Sequence, residues 1–140
     1  MNLQALPADL AARYARAVDD RDFVAMESIM WQEFTQQGPG FRAESRAVFV
    51  ANLEFLRQFD STFHLLGQVT GEWQGNSYRG ETWCVASHFY QREGRPLCFE
   101  MYIRYQDVIE VRDGEGRYLQ RDLTVVAQDE RELRAPSFGG

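Results

Sequence analysis

The chain contains two histidines, His64 and His88, and both fall inside apolar segments. Histidine is the side chain that most readily changes charge near neutral pH, which makes it a common general base. Asp19 ends a stretch of helical periodicity, where the helix dipole disfavours a carboxylate that has no cation or donor beside it. A histidine imidazole would supply that partner, and the carboxylate would in turn hold the imidazole in one tautomer. The simpler interpretation is two core or surface histidines and a solvated loop acid.

Helical periodicity predicts three helices in the first third of the chain, which must position Asp19. The first includes Pro7 in its first turn and ends at the Asp19–Asp22 cluster. The second begins at Asp22 as N-cap and the third near Ser45. Their predicted buried positions are Leu10, Tyr14 and Val18 in the first, Phe23, Met26 and Met30 in the second, and Phe49, Leu53 and Leu56 in the third.

The remaining two thirds predict four strands that alternate in polarity and are joined by short turns. The predicted strands cover residues 62–73, 78–90, 97–111 and 118–127. Strands this long must coil, and three helices can cover the open side. We therefore expect an α+β fold, a cone-shaped curved antiparallel sheet packed against three N-terminal helices (an α+β barrel). Residues 1–140 form one domain, with a loose tail from residue 134 to 140.

Alternation along the strands predicts which side chains face the interior. A four-residue loop at residues 92–95 places His88 opposite Phe99, so His88 faces the apolar stripe that includes Phe99. The full stripe is Phe99, Met101, Ile103 and Tyr105. The opposite face carries Glu100, Tyr102, Arg104 and Gln106, which suits an exposed or subunit-facing surface.

Whether His64 and His88 lie on the same face of the sheet depends on the turn between their strands. A strict two-residue loop at Gly75-Asn76 places His64 and His88 on opposite faces of the sheet. A three-residue loop, or one bulge, places them on the same face and directly opposite each other. Both alternatives remain open at this point.

Several segments together resemble the SnoaL-like proteins of the nuclear-transport-factor-two-like superfamily. Residues 14–19, followed by Asp22-Phe23, resemble the first helix of that family and its acidic end. Residues 62–67, Thr-Phe-His-Leu-Leu-Gly, resemble its Thr-x-His-x-x-Gly strand, and residues 81–88 resemble the following strand. The last hairpin is similar through Arg104-Tyr105-x-Asp107, Asp113-Gly114 and Arg121.

The scytalone dehydratase and lindane dehydrochlorinase branches of that superfamily resemble the chain most in their chemistry. The resemblance implies that His64 abstracts a proton, that Asp19 orients it, and that His88 holds or protonates the leaving group. Two tyrosines of the dehydratase are matched here by Val18 and Gly38, and its pocket Ser and Asn by Ile103 and Tyr105, so scytalone itself is not the expected substrate. The ketosteroid isomerase pattern fits less well: Tyr14 could match its tyrosine, but no acid near residues 36–38 matches its base.

We therefore expect a cofactor-free lyase or isomerase that acts on a small apolar, aromatic or polycyclic molecule. The expected catalytic residues are Asp19, His64 and His88, and the expected substrate-binding residues are Tyr14, Phe99, Met101, Ile103 and Tyr105. The alternative is a non-catalytic ligand-binding or structural subunit of the same fold. A cyclase or epoxide hydrolase ranks last, because no Asp-Arg-Asp relay is evident.

Composition narrows the remaining possibilities. The net charge of −6 disfavours nucleic acid and anionic membranes. All fifteen basic residues are Arg, which excludes lysine Schiff-base chemistry. No metal signature or apolar span is found, so we expect no metal and a cytoplasmic location. Cys84 and Cys98 are expected to be unbonded, since they lie on different strand faces. The expected protein partner is a second copy of this chain, in a homodimer or homotrimer.

Overall fold

The computed structural model describes residues 1–134 and 137–138. Residues 135, 136, 139 and 140, which belong to the tail expected to be loose, lie outside the described residues. Within the described residues the chain forms three helices, α1 (Leu6–Asp19), α2 (Met26–Ile29) and α3 (Arg46–Asn52). Single 3₁₀ segments precede α2 (Phe23–Ala25) and follow α3 (Leu53–Gln58).

Six strands form one curved sheet that is not closed into a barrel. They are β1 (Met30–Gly38), β2 (Phe41–Ala43), β3 (Ser61–Gln74), β4 (Ser77–Arg92), β5 (Arg95–Arg112) and β6 (Glu115–Glu132). Their spatial order is β2-β1-β6-β5-β4-β3. Strands β3 to β6 form the predicted antiparallel meander, and β1 adds to β6 in the parallel direction. The predicted α+β class with a curved sheet against N-terminal helices is confirmed.

Helix α1 presents one apolar face to the sheet, with Leu10, Tyr14 and Val18 buried as predicted. Its last residue is Asp19, so the helix delivers this carboxylate to the start of β3. Helix α3 is capped by Ser45, whose hydroxyl accepts a hydrogen bond from the Val48 N–H at 3.2 Å. The helices therefore cover the concave side of the sheet and leave a cavity between the two layers.

The second predicted helix is too long. Helix α2 ends at Ile29, and Met30 begins β1 instead of continuing the helix. Asp22 precedes the 3₁₀ segment, but its side chain makes no capping hydrogen bond. Met30 and Phe34 are fully buried against β6, so pairing with a strand distant in sequence outweighs the local helical pattern.

The loop between β3 and β4 is the two-residue Gly75-Asn76 turn, and a bulge between Leu66 and Val69 shifts the register by one residue. This shift places His64 and His88 on the same face of the sheet. The bulge alternative predicted that the two histidines lie directly opposite each other, and this part of it is wrong. His64 pairs with Ala86, and Thr62 pairs with His88. The histidines are diagonal neighbours, with ring centroids 6.5 Å apart. The predicted pairing of His88 with Phe99 is confirmed.

Candidate functional site

Asp19 and His64 form a hydrogen-bonded pair. The Asp19 Oδ1 atom lies 2.7 Å from His64 Nδ1, and Asp19 Oδ2 accepts the backbone N–H of His64 at 2.8 Å. The His64 side chain is 8% exposed and the Asp19 side chain is 23% exposed. Burial raises the pKa of Asp19, but hydrogen bonds from His64 and Thr62 and the charge of His64 outweigh it, so the pKa lies below its ordinary value. Asp19 is thus an anion at neutral pH and fixes both the ring and the backbone of His64.

Two further side chains support the carboxylate. The Thr62 hydroxyl donates to Asp19 Oδ1 at 2.8 Å. Arg21, from the turn after α1, donates to that hydroxyl at 2.8 Å and to the carbonyl oxygens of Val18 and Leu56 at 2.8 and 3.2 Å. Thr62 belongs to the family-like motif, whereas Arg21 was not singled out from the sequence, because it lies in a run of charged residues typical of a solvated loop.

His88 lies beside the pair in a largely apolar position. Its Nδ1 atom is 3.0 Å from the carbonyl oxygen of Phe99, a group that only accepts, so Nδ1 carries the proton. Its ring packs against the rings of Phe59 and Phe99 at centroid distances of 5.0 and 5.7 Å. Desolvation lowers the pKa of His88, the Phe99 hydrogen bond opposes this, and the charges of His64 and Arg21 lower it further. The neutral ring therefore has its Nε2 lone pair available for a hydrogen bond.

The lowered pKa of His88 predicts that the folded protein loses stability at acidic pH. The unfolded chain takes up a proton at His88 near pH 6.5, whereas the folded chain resists it, so stability falls as pH decreases below that value. The decline is at most about 1.4 kcal/mol per pH unit and stops below the folded-state pKa. Asp19, whose pKa is also lowered, contributes a second loss only near pH 4.

We expect urea unfolding of wild type to lose stability between pH 7.5 and 5, and the His88→Gln variant to show a flatter profile over this interval. The glutamine amide can still donate to the Phe99 carbonyl but does not titrate. Parallel profiles for the two proteins would show that His88 binds protons equally in the folded and unfolded chains.

Both histidines line an apolar cavity of about 550 Å³ between the helices and the sheet. Of the predicted substrate-binding residues, Tyr14, Met101, Ile103 and Tyr105 line this cavity. Phe99 does not; it packs on the ring of His88 instead. Sequence reasoning assigned no substrate contact to the lining residues from β1, the β1–β2 turn, β2, α3 with its 3₁₀ extension, and β6: Gln36, Gly40, Phe41, Arg42, Phe49, Asn52, Leu53, Phe55, Leu56 and Leu123.

A buried ion pair lies behind the cavity wall. Arg121 is 0% exposed, and its Nε donates to Asp107 Oδ1 at 2.8 Å. Its guanidinium carbon lies 4.3 and 3.8 Å from the ring centroids of Tyr14 and Tyr105, which line the cavity. Burial raises the pKa of both tyrosines, so they present protonated hydroxyl groups at neutral pH. Their rings form a wall of the cavity with a fixed cation behind it.

Other kinds of site are not supported within the described residues. No group of three or more His, Cys, Asp or Glu side chains there could hold a metal ion. Cys84 and Cys98 are free thiols, and burial raises the pKa of Cys84 to about 12, which makes it a poor nucleophile. In the same part of the chain, no helix is long and apolar enough to cross a membrane.

Comparison with solved structures shows the same fold in several proteins. A putative scytalone dehydratase from Novosphingobium aromaticivorans has a TM-score of 0.82 and 20% identity, over 95% of this chain and 89% of its own. A type 2 hexachlorocyclohexane dehydrochlorinase, LinA, has a TM-score of 0.80 and 15% identity, over 98% and 93%. ActVI-ORFA from Streptomyces coelicolor has a TM-score of 0.75 and 21% identity, over 89% and 98%.

No curated protein matches the sequence. An NTF2-like superfamily protein from Salmonella enterica is similar with a TM-score of 0.76 and 14% identity, over 89% of this chain and 90% of its own. The model of the SnoaL-like domain matches residues 8–121, which include α1, the Asp19–His64 pair and the Asp107–Arg121 pair. The chain therefore belongs to the SnoaL-like domain family, with the NTF2-like α+β fold.

Proposed function

We propose that this protein is a lyase or isomerase, needing no cofactor, that acts on a small apolar, aromatic or polycyclic molecule, with His64 as general base. The observation that carries the proposal is the 2.7 Å Asp19–His64 hydrogen bond at the wall of an apolar cavity. The similar folds of proteins named as a dehydrochlorinase and a putative scytalone dehydratase support elimination chemistry.

The first step would be removal of a proton from carbon. Asp19 occupies the Nδ1 edge of His64, so Nε2 is the nitrogen available to a substrate in the cavity. The C–H bond breaks as Nε2 takes the proton, and the Asp19 carboxylate stabilises the resulting imidazolium. In an elimination the electron pair forms a double bond and expels the neighbouring group. Halide leaves as the anion, and a hydroxyl leaves as water after receiving the proton from the imidazolium.

His88 would hold the substrate through its Nε2 lone pair. The Nδ1 proton is committed to the Phe99 carbonyl, so a neutral His88 accepts a hydrogen bond, most suitably from a substrate hydroxyl. Donation to a leaving group would require His88 to be protonated first, which its lowered pKa opposes at neutral pH. We therefore assign proton return to His64 and substrate orientation to His88.

The experiment that tests this function detects carbon-acid chemistry directly. Aromatic and steroid-like alcohols and ketones, with halogenated analogues, are incubated with the protein in D₂O and followed by ¹H NMR. The proposal predicts loss of a carbon-bound proton signal, or appearance of an alkene, that depends on the protein. Ligands that bind in the cavity with neither event would favour the non-catalytic ligand-binding subunit.

We also propose that the protein is a homodimer or homotrimer assembled through the outer face of the sheet. Four apolar side chains from four strands line one groove there: Leu65, Trp83, Tyr102 and Val126. Leu65 and Val126 are 60% and 62% exposed at the two sides of this groove, and an exposed apolar groove of this kind is typical of an interaction surface.

Light scattering after size-exclusion chromatography is expected to give a multimer for wild type and a monomer for Leu65→Glu. Val24 is 75% exposed and lies outside this groove, so Val24→Glu is the matched control and should keep the wild-type mass. A Leu65→Glu protein of wild-type mass would place the interface elsewhere.

A further inference from the structure

Arg21 adopts an unusual backbone conformation next to the site. It follows α1 in the turn Asp20-Arg21-Asp22 and has φ 58°, in the left-handed region. This region disfavours a non-glycine residue by about 1 kcal/mol. The Arg21 N–H donates to the Val18 carbonyl at 3.1 Å, which closes the end of the helix. A residue held in this conformation indicates that its side chain makes compensating interactions.

The guanidinium of Arg21 joins three elements. Nη1 donates to the Val18 carbonyl, near the end of α1, and to the Thr62 hydroxyl in β3, both at 2.8 Å. Nη2 donates to the Leu56 carbonyl, in the 3₁₀ segment after α3, at 3.2 Å. A cation is favourable beside helix C-terminal carbonyls, so the two carbonyl contacts fix the guanidinium where it meets Thr62.

The chemistry of the groups determines the direction of each hydrogen bond. A guanidinium has donors and no acceptor, so Thr62 Oγ1 must accept from Arg21. The single hydroxyl proton of Thr62 is then directed to Asp19 Oδ1, 2.8 Å away. The ionised Asp19 carboxylate only accepts, and Oδ1 also faces His64 Nδ1 at 2.7 Å. The proton of the neutral imidazole must therefore be on Nδ1.

We propose that Arg21 is a positioning residue that, through Thr62, orders the Asp19 carboxylate and selects the Nδ1–H tautomer of His64. The chain of donors runs in one direction, from Arg21 to Thr62 to Asp19, and ends at the carboxylate that receives the His64 Nδ1 proton. This leaves the Nε2 lone pair for the cavity, as the base requires.

Without the guanidinium, the Thr62 oxygen loses the donor 2.8 Å away that holds the side chain where it donates to Asp19 Oδ1. A Thr62 side chain that is free to change its χ1 rotamer can take its hydroxyl away from Asp19, so the carboxylate is held less firmly. A mobile carboxylate selects the tautomer of His64 less strongly. The expected change therefore concerns the proton on His64 and not only the stability of the fold.

This inference deepens the proposed function, and its test observes the histidine without a substrate, so either can fail alone. The chain has two histidines, so a protein with ¹⁵N-labelled histidine shows four ring nitrogens. A His88→Gln reference identifies the pair that belongs to His64. The readouts at pH 8 are the ¹⁵N shifts of Nδ1 and Nε2 and the low-field Nδ1–H proton signal.

We expect wild type to show protonated Nδ1, unprotonated Nε2 and a slowly exchanging low-field proton. Arg21→Gln and Thr62→Val should lose that proton signal and give averaged nitrogen shifts, while Thr62→Ser, which keeps the hydroxyl, should match wild type. The double variant should differ no further from Thr62→Val, because Arg21 acts through that hydroxyl.

Two further variants distinguish the role of the Arg21 side chain from the loss of a nearby positive charge and from disruption of the turn. Arg57 is an exposed neighbouring cation that pairs with Glu54, so Arg57→Gln removes the same charge without touching Thr62 and should match wild type. Arg21→Gly suits the positive φ and keeps the turn, so it reports loss of the side chain in a folded protein. A wild-type His64 spectrum in folded Arg21→Gly or Arg21→Gln, or the same change in Arg57→Gln, would overturn the proposal.

Discussion

His64→Gln is expected to lower turnover by ~10²–10⁴, the range typical of one general base. Glutamine keeps much of the size of histidine and can donate its amide hydrogens to Asp19 Oδ1, the atom that faces His64 Nδ1 at 2.7 Å. It cannot accept a proton near neutral pH, so the chemical step loses its base while the cavity keeps its shape. The measurement is the rate of proton exchange or elimination with a substrate from the D₂O screen.

The same assay separates the pair from its neighbours. Asp19→Asn should also lower turnover, because the amide can donate to Nδ1 and favour the wrong tautomer of His64. The double variant should lose much less than the combined losses of the single variants, because the two residues act as a unit. Arg57→Gln changes an exposed side chain that does not line the cavity and is the control, for which we expect near-normal turnover.

Thermal melts of all four variants should remain cooperative, because none of the changes removes a large core side chain. If a folded His64→Gln protein turned over substrate at the wild-type rate, the Asp–His base would be wrong. A ligand-binding role for the cavity would then be the better interpretation.

Local patterns were sufficient to predict the meander. Strands β3 to β6 alternate in polarity and are separated by short turns, so their order, their direction and the pairing of His88 with Phe99 could be predicted from the sequence. Strand β1 could not, because residues 30–38 carry no strict alternation and pair with β6, some 85 positions away in the chain. Only that long-range pairing gives Met30 and Phe34 their buried positions.

The relation between the two histidines shows the limit of register arguments. Alternation determines faces only up to the next bulge, and the bulge between Leu66 and Val69 reverses the faces that the Gly75-Asn76 turn alone would give. The proximity of Asp19 to His64 followed from the family resemblance, since no local rule joins the end of a helix to a strand 45 residues later. Thr62 lies opposite His88, so His64, two residues along the same strand, is a diagonal neighbour of His88. This register became evident only with the coordinates.

The roles of two arginines, the half-buried Arg21 and the fully buried Arg121, were not predicted. Arg21 stands in the charged run of residues 19–22, and Arg121 stands beside Asp122 in a predicted strand; an exposed cation is the usual outcome at either position. The Asp107–Arg121 pairing requires a further bulge, between Val108 and Ile109. Without this bulge, the two-residue turn at Asp113-Gly114 would place Asp107 opposite Gln120. A buried arginine is identified by what surrounds it, and those groups come from distant parts of the chain.

Asp107→Asn is expected to destabilise the fold by about 3–5 kcal/mol, the usual consequence of leaving one buried charge without its partner. Asp107 is 4% exposed, and its carboxylate accepts from Arg121 Nε at 2.8 Å and from the Thr82 hydroxyl at 2.7 Å. Asparagine preserves the shape but supplies no negative charge. The Nη1 and Nη2 atoms of Arg121 have no hydrogen-bond partner among the described residues, so the lost charge has no substitute there.

The aromatic rings around Arg121 do not replace the carboxylate. The guanidinium carbon lies 4.3, 3.8 and 4.7 Å from the ring centroids of Tyr14, Tyr105 and Tyr118. Cation–π contacts of this kind contribute about 2 kcal/mol when desolvated, less than burial of the charge opposes. Removing both charges, in Asp107→Leu with Arg121→Met, should therefore restore much of the stability lost in the single variant.

Urea unfolding at neutral pH measures these differences, and an exposed ion pair gives the matched control. Glu81 and Arg104 lie on the outer face, with a 2.6 Å contact and side chains 26% and 43% exposed. Breaking this pair with Glu81→Gln should change stability by no more than about 1 kcal/mol, because water screens it. Asp107→Asn could unfold at the same urea concentration as Glu81→Gln only if water, or a local rearrangement of the protein, solvated the charge of Arg121. The cation behind Tyr14 and Tyr105 would then not be a fixed part of the cavity wall.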